Sequence, residues 1–251
     1  MGKIIAGVNQ KGGVGKTTTA VNLAAWLQER GLKILLCDFD PQANATSGLG
    51  VDKRKVHHSI YDVIINDIPN ENAIVSTKFA EVLPSSADLA GAGGELITLP
   101  DANYCLQKAL KEVQANYDLI LIDCPPSLEM LTLNALAAAE GVLIPVQCEY
   151  FALEGLSDLM NTMRMVKRRI NPTLEVFSVV LTMFDGRTNF STQVAQEVRR
   201  HFPVKVCATG IPRNIRLAEA PSHGLPVTVY DRSSRGSLAY KALAQEIKEK
   251  L

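Results

Sequence analysis

The sequence predicts an α/β fold with a mostly parallel, twisted sheet and helices on both faces. Three observations lead there. Short runs rich in Ile, Leu and Val recur along the chain, separated by stretches of helical spacing. The runs are apolar at successive positions, as strands buried on both faces are, and parallel strands of that kind need helical crossovers. The first run passes through a glycine-rich turn directly into a helix.

The elements follow in order. Lys3 to Val8 reads as a buried strand. Thr17 to Arg30 has helical spacing, with Ala20, Leu23, Ala24 and Leu27 on one face and Gly31 as the stop. Lys33 to Cys37 is the next strand, closed by Asp38. Leu119 to Ile122, Val142 to Val146 and Val176 to Thr182 are three more. Helices are expected over Asn103 to Gln114, Met130 to Ala139, Leu153 to Arg169, Thr192 to His201 and Ser237 to Lys250. Val51 to Ala92 is weakly patterned and reads as loops and short elements on the rim. No repeat, long linker or low-complexity tract divides the chain, so one domain over residues 1–251 is expected.

The composition narrows the function. Of 251 residues, 47% are hydrophobic and 21% charged, which is globular and not disordered. Lys plus Arg equals Asp plus Glu at 26 each, so no bulk charge draws nucleic acid, and any DNA contact needs a local basic patch. Cys37, Cys105, Cys124, Cys148 and Cys207 match neither a disulfide framework nor a zinc pattern, which suits a reducing cytoplasm. No signal-peptide pattern and no apolar run of about 18 residues is present. His57, His58, His201 and His223 lack metal-ligand spacing, and no nucleophile elbow surrounds Ser127.

The strongest motif is Lys11-Gly12-Gly13-Val14-Gly15-Lys16-Thr17-Thr18, placed between a strand and a helix as a P-loop requires. Glycines let successive backbone N–H groups curl toward phosphate oxygens, and the helix N-terminus adds partial positive charge. Lys16 is placed to reach the β- and γ-phosphates, and the Thr17 hydroxyl to ligate Mg²⁺. The fold expected is therefore that of the P-loop NTPases. The strict pattern fails at one point, because Gln10 stands where the first glycine belongs.

Two carboxylate segments accompany the loop. Asp38-Phe39-Asp40-Pro41 follows the second strand, at the sheet edge where open α/β folds bind ligands. Asp-Pro alone also suits a plain turn. Leu119 to Ile122 ends in Asp123, followed by Cys124-Pro125-Pro126, a strand-end acid suited to holding Mg²⁺ directly or through water.

The KGGVGKTT loop resembles the deviant Walker A motif of the ParA and MinD group of ATPases. Asp38 to Gln42 and Asp123-Cys124-Pro125-Pro126 are similar to that group's switch and Walker B segments. Thr182 to Asn189 and Ile211 to Gly224 resemble chromosomal ParA proteins, often called Soj. The family more often has glycine where this chain has Ala43. The resemblance implies that Lys11 crosses a dimer interface to the partner's nucleotide. It also implies that Asp40 orients the attacking water, with Asp38 in support near Mg²⁺, and that Pro212 and Arg213 border the adenine. Arg187 and Arg216 are the first choices for a DNA-binding face, against the ordinary reading of solvated or ion-paired arginines. Lys167-Arg168-Arg169 reads equally as a phosphate contact or as complement to a helix dipole.

The resemblance thus implies a cytoplasmic, nucleoid-associated ATPase for chromosome or plasmid partitioning, slow alone. It would bind ATP or ADP with Mg²⁺, form an ATP homodimer on nonspecific DNA, and be released by a ParB-type activator. Three alternatives accompany it. A membrane-surface ATPase like MinD would need a basic amphipathic tail. Here Glu246 and Glu249 offset the lysines, so packing against the sheet, with no stable membrane anchor, is expected. An iron–sulfur carrier would need paired cysteines, and only Cys148 is tempting. A ParA-like protein positioning another cargo would share all the nucleotide chemistry.

Overall fold

The computed structural model describes residues 2–149 and 152–251. The expected sheet is present. β1 (Lys3–Gly7) leads through the glycine loop to α1 (Lys16–Glu29), and then come β2 (Ile34–Asp38) and α2 (Asn44–Gly48). Next are α3 (Ile60–Ile65), α4 (Asn70–Ala73), β3 (Val75–Ser76), β4 (Glu81–Leu83), α5 (Leu89–Leu96) and α6 (Cys105–Val113). β5 (Leu119–Asp123), α7 (Met130–Ala138), β6 (Gly141–Gln147), α8 (Ala152–Arg169), β7 (Glu175–Thr182) and α9 (Asn189–His201) follow. The chain closes with α10 (Ile215–Glu219), a 3₁₀ turn over Ala220–His223, α11 (Val227–Tyr230) and α12 (Arg235–Lys248).

Among the described residues the strands form one seven-stranded sheet in the order β3-β4-β2-β5-β1-β6-β7. Every pairing is parallel except β3 with β4. Alternate strand residues feed two cores, since successive side chains leave opposite faces. Ile4, Leu35, Ile120 and Ile144 pack with α6, α7, α8 and α9 on one face. Ile5, Leu36, Leu121 and Leu143 pack with Leu23, Trp26 and Leu27 of α1 on the other.

The structure corrects two expectations. Val51 to Ala92 is more than a rim: β4 pairs in parallel with β2, and Val82 and Leu83 are fully buried. Three residues are too few for a periodic signal, which is why the strand escaped the sequence reading. α12 packs helix-on-helix against α1 and not simply on the sheet. Its stripe of Tyr240, Leu243, Ala244 and Ile247 is buried with Trp26, and the Tyr240 and Thr19 hydroxyls lie 3.1 Å apart in a hydrogen bond. No helix among the described residues is long and apolar enough to cross a membrane.

Candidate functional site

The strand order places the site. β2, β5 and β1 are neighbours, and their register sets Asp38 opposite Asp123 and Asp123 opposite Gly7. Two strand-end acids and the root of the glycine loop therefore meet at the carboxyl edge of the sheet, where ligands bind in this class of fold.

The loop is fixed at several points. The Asn9 side-chain amide donates to the Pro145 carbonyl at 2.7 Å, and its oxygen accepts from the Lys11 N–H at 3.0 Å. Thr182, at the end of β7, donates its hydroxyl to the Val14 carbonyl at 2.8 Å. Gly13 and Gly15 hold positive φ of 74° and 89°, conformations that disfavour any side chain. α1 begins at Lys16 with no side-chain cap and no acid in its first turn. Its N-terminal N–H groups and dipole thus face the loop concavity, an arrangement that binds anions.

The two lysines behave differently. The Lys16 ammonium curls back to donate to the Lys11 carbonyl at 3.0 Å. It is buried, which lowers its pKa, while Asp123 and Asp40 pull the other way. Lys11 lays its stem across Gly155 of α8, where an added Cβ would come within 3.3 Å of its Cε. Its ammonium lies 3.9 Å from Glu149 of its own chain. Gln10, the residue that breaks the strict motif, reaches the same helix, donating to Asp158 at 3.0 Å.

The three acids have distinct surroundings. Asp38 accepts from the Thr46 N–H at 2.7 Å, from the Thr46 hydroxyl at 2.6 Å and from the Asp40 N–H at 3.3 Å. Burial nonetheless raises its pKa to about 6. Asp40 accepts from the Gln42 N–H at 3.0 Å, in a tight turn through Ala43. Ala43 has φ of 52°, the left-handed region that suits glycine, which explains the glycine expected there. Asp123 is fully buried, and neither carboxylate oxygen has a hydrogen-bond partner of normal geometry among the described residues. Burial and the neighbouring Asp38 push its pKa well up, eased by the Thr17 hydroxyl and Lys16.

A bare buried carboxylate beside a hydroxyl and a phosphate cradle fits Mg²⁺. That ion takes one or two carboxylates and completes its shell with water and phosphate oxygens. Asp123 and Thr17 are the residues placed to hold it. Asp38 is committed to Thr46 and is better placed to support.

A cavity of about 410 Å³ adjoins the loop, lined by Gly15 and Thr18, by Met183, by Pro212 and Arg213, and by Leu217 and Tyr240 among others. The Arg213 guanidinium lies 3.7 Å from the Met183 sulfur at this cavity. Pro212 and Arg213, which the resemblance would set beside an adenine, both line this cavity. Thr182, Met183 and Leu217 lie in segments that the resemblance singled out but were given no role at the cavity, and Tyr240 was missed, since nothing in its local sequence marks it.

The two DNA candidates lie outside this site, and both are ion-paired. Arg187 makes a two-pronged contact with Asp185 at 2.9 and 2.8 Å, holding that carboxyl near a pKa of about 2. Arg216 reaches Glu219 at 2.8 Å and Asp231 at 3.2 Å. Lys167, Arg168 and Arg169 are exposed in the last turn of α8, as dipole complements are. Cys124 and Cys148 are both buried, and among the described residues no group of three or more His, Cys, Asp or Glu is arranged around a metal.

Known proteins share this arrangement. The family model described as an AAA domain matches residues 2–176. Sporulation initiation inhibitor protein Soj of Bacillus subtilis is 53% identical over 249 residues, 98% of each chain. Chromosome partitioning protein ParA of Myxococcus xanthus is 49% identical over 249 residues, 98% of this chain and 88% of that one. The chain belongs to the ParA/Soj family of P-loop ATPases. Among solved structures, cobyrinic acid a,c-diamide synthase from Mycobacterium smegmatis, crystallised with ADP and magnesium, superposes with a TM-score of 0.87. It is 36% identical, over 99% of this chain and 95% of that one. The fold of the ParA/Soj family therefore extends from the phosphate loop through α12, beyond the residues the family model matches.

Proposed function

We propose that the chain is a ParA-type partitioning switch, one domain over residues 1–251, that binds and slowly hydrolyses ATP with Mg²⁺. The observation that carries this is identity of 49% and 48% to a chromosome partitioning protein ParA and a chromosome-partitioning ATPase Soj, over 98% of this chain and 88% and 97% of theirs. A shared phosphate loop alone would carry less. In this reading Gly12 to Thr18 cradle the phosphates with backbone N–H groups, Lys16 pairs with the terminal phosphates, and the 410 Å³ cavity takes the adenine against Pro212 and Arg213. Thr17 and Asp123 hold Mg²⁺, which when bound supplies charge neutralisation to the phosphate oxygens. Asp40, fixed by the Gln42 N–H, orients the attacking water.

The site holds one buried lysine against three acids. A cation delivered in trans contributes roughly 10³ to 10⁵ in rate in other NTPases. Lys11 of a second copy takes that role, so the monomer binds ATP and hydrolyses it poorly, and ATP stabilises a symmetric dimer. In a single chain Lys11 lies against Glu149 and Gly155, so it must leave them to reach a partner. The dimer doubles the arginine-bearing surface and binds DNA without regard to sequence. A ParB-type partner then stimulates hydrolysis and releases it.

The test is binding to a random-sequence duplex with ATP, with ADP and without nucleotide, across a salt series. Asp40→Ala holds the ATP state, with Lys16→Ala and Arg216→Ala as controls. Tight, salt-sensitive binding confined to ATP and lost in both controls supports the switch. ATP-driven dimers that ignore DNA in every state would overturn partitioning and leave the nucleotide site standing. Lys11→Ala that dimerises with ATP and hydrolyses it normally would remove the trans role.

A further inference from the structure

A cleft of about 810 Å³ shares no residue with the P-loop or the base cavity. Its walls come from residues 49–58 after α2, from β3 and the turn that follows it, and from residues 223–225. Val51, Val56, Phe79 and Leu225 give apolar lining. Lys55, Lys78, His57, His58 and His223 supply nearly all of its ionisable groups. The one acid, Asp52, is already held by Arg54 at 3.1 and 3.3 Å, with the Lys55 ammonium 3.9 Å away. The cleft is therefore positively biased. Along one side runs β3, one of the two edge strands of the sheet, which among the described residues pairs only with β4. An edge strand offers its backbone to an added strand.

We propose that this cleft is a docking groove for an extended acidic segment of a partner protein lying beside β3. Charge complementarity selects the occupant. Lys55 and Lys78 attract carboxylates, and each histidine donates an N–H to a carboxylate even when neutral. The apolar lining takes side chains that alternate with the acids along an extended strand. Nucleic acid fits less well, since it has no strand backbone for β3 and no apolar side chains for Val56 and Phe79.

The groove is joined to the nucleotide site on two sides. The Val51 N–H donates to the Thr46 carbonyl at 3.2 Å, and the Thr46 side chain holds Asp38. The opposite wall continues back through the 3₁₀ turn to α10, where Leu217 and Ala218 line the base cavity. The two walls meet at Gly50 and Gly224, where a Cβ on Gly50 would come 3.1 Å from the Gly224 oxygen.

The experiment is fluorescence anisotropy on the whole chain with a labelled ten-residue peptide of alternating Glu and Val. A Lys–Val peptide of the same length and an unlabelled DNA duplex serve as competitors. The Glu–Val peptide is expected to bind, the Lys–Val peptide and duplex to compete weakly, and the double variant Lys55→Glu, Lys78→Glu to lose about tenfold or more in affinity. Unchanged circular dichroism and ADP binding in the variant establish that it is folded. Failure of the Glu–Val peptide to bind, equal binding of both peptides, indifference to the charge reversal, or displacement by the duplex would each overturn the proposal. None of these readouts requires ATP or hydrolysis, and the duplex asks only whether nucleic acid takes this groove, so failure here leaves the partitioning reading untouched.

Discussion

Replacing Thr46 by Val keeps the side-chain volume and removes one hydroxyl, and the structure gives that hydroxyl two partners. It donates to Asp38 at 2.6 Å and accepts from the buried Ser85 N–H at 3.1 Å. A hydrogen bond to a charged group contributes about 1.5–3 kcal/mol, and a buried N–H left without an acceptor costs about 1–3 kcal/mol. Roughly 2 kcal/mol each gives a loss of about 4 kcal/mol at a pH where Asp38 is ionised. Unfolding entropy of about 2.1 cal/mol/K per residue makes 1 kcal/mol worth about 2 °C in a chain of this length, so Tm should fall by about 8 °C.

The pH dependence separates the two partners. Burial raises the Asp38 pKa from an ordinary 3.8 to about 6, so the native state holds this proton more tightly than the unfolded chain. The stability Asp38 contributes is full below about pH 4 and is lost as pH climbs through 6, about 3 kcal/mol in all. At pH 5 Asp38 is mostly protonated and the charged bond is not in play. The orphaned Ser85 N–H remains, and the variant should melt only about 4 °C lower. At pH 8 the gap should widen to about 8 °C, and Asp38→Asn should flatten this part of the profile. The assay is thermal unfolding by circular dichroism without nucleotide or Mg²⁺, between pH 5 and 8. Equal losses at both ends, or a loss below about 2 °C at pH 8, would refute the clamp.

Three further outcomes follow from the packing and the ion pairs. A Cβ on Gly236 would come 2.7 Å from Leu217, which lines the base cavity. Gly236→Ala should therefore cost about 1–3 kcal/mol in unfolding and weaken ADP binding several-fold by calorimetry. Leu243→Ala, at the buried contact of α12 with α1, should cost about 2–5 kcal/mol, with ADP affinity unchanged, while the exposed Leu238→Ala should move Tm by less than about 1 °C. Asp185→Asn releases Arg187, so DNA affinity in the ATP state should rise and the slope of log K against log salt should steepen by up to about one.

The phosphate loop and the strand-end acids were legible because their chemistry depends on local spacing. GKT before a helix, and Asp after an apolar strand, mean the same thing wherever the chain later goes. What Asp38 touches was not legible. Thr46 lies eight residues on, in a stretch that reads as a turn, and only the folding of α2 over the end of β2 brings it back. Tyr240 reaches the 410 Å³ cavity from α12, far from the loop in sequence, and carries no local mark. The arginine pairs were half legible. Asp185 stands two residues before Arg187 and Glu219 three after Arg216, spacings that suit ion pairs, while Asp231 joins only in the fold. β4 was lost for lack of length, and with it the edge strand that bounds the cleft.

The charge balance of the site bears on the switch proposed above. Asp38 and Asp123 are fully buried, Asp40 nearly so, and Lys16 is the buried cation among them. Burial raises the pKa of Asp38 and Asp123 and lowers that of Lys16, so charge is costly to hold at this site. Phosphate oxygens in the loop would favour the charged form of Lys16, and a divalent cation held by Asp123 would favour the charged form of that acid. Asp38 holds Thr46 through its hydroxyl and its N–H, and the Thr46 carbonyl in turn accepts from Val51 in the cleft wall. One buried carboxylate and one hydroxyl thus connect the neighbourhood of the loop to the surface cleft. That is the link the Thr46 variant cuts.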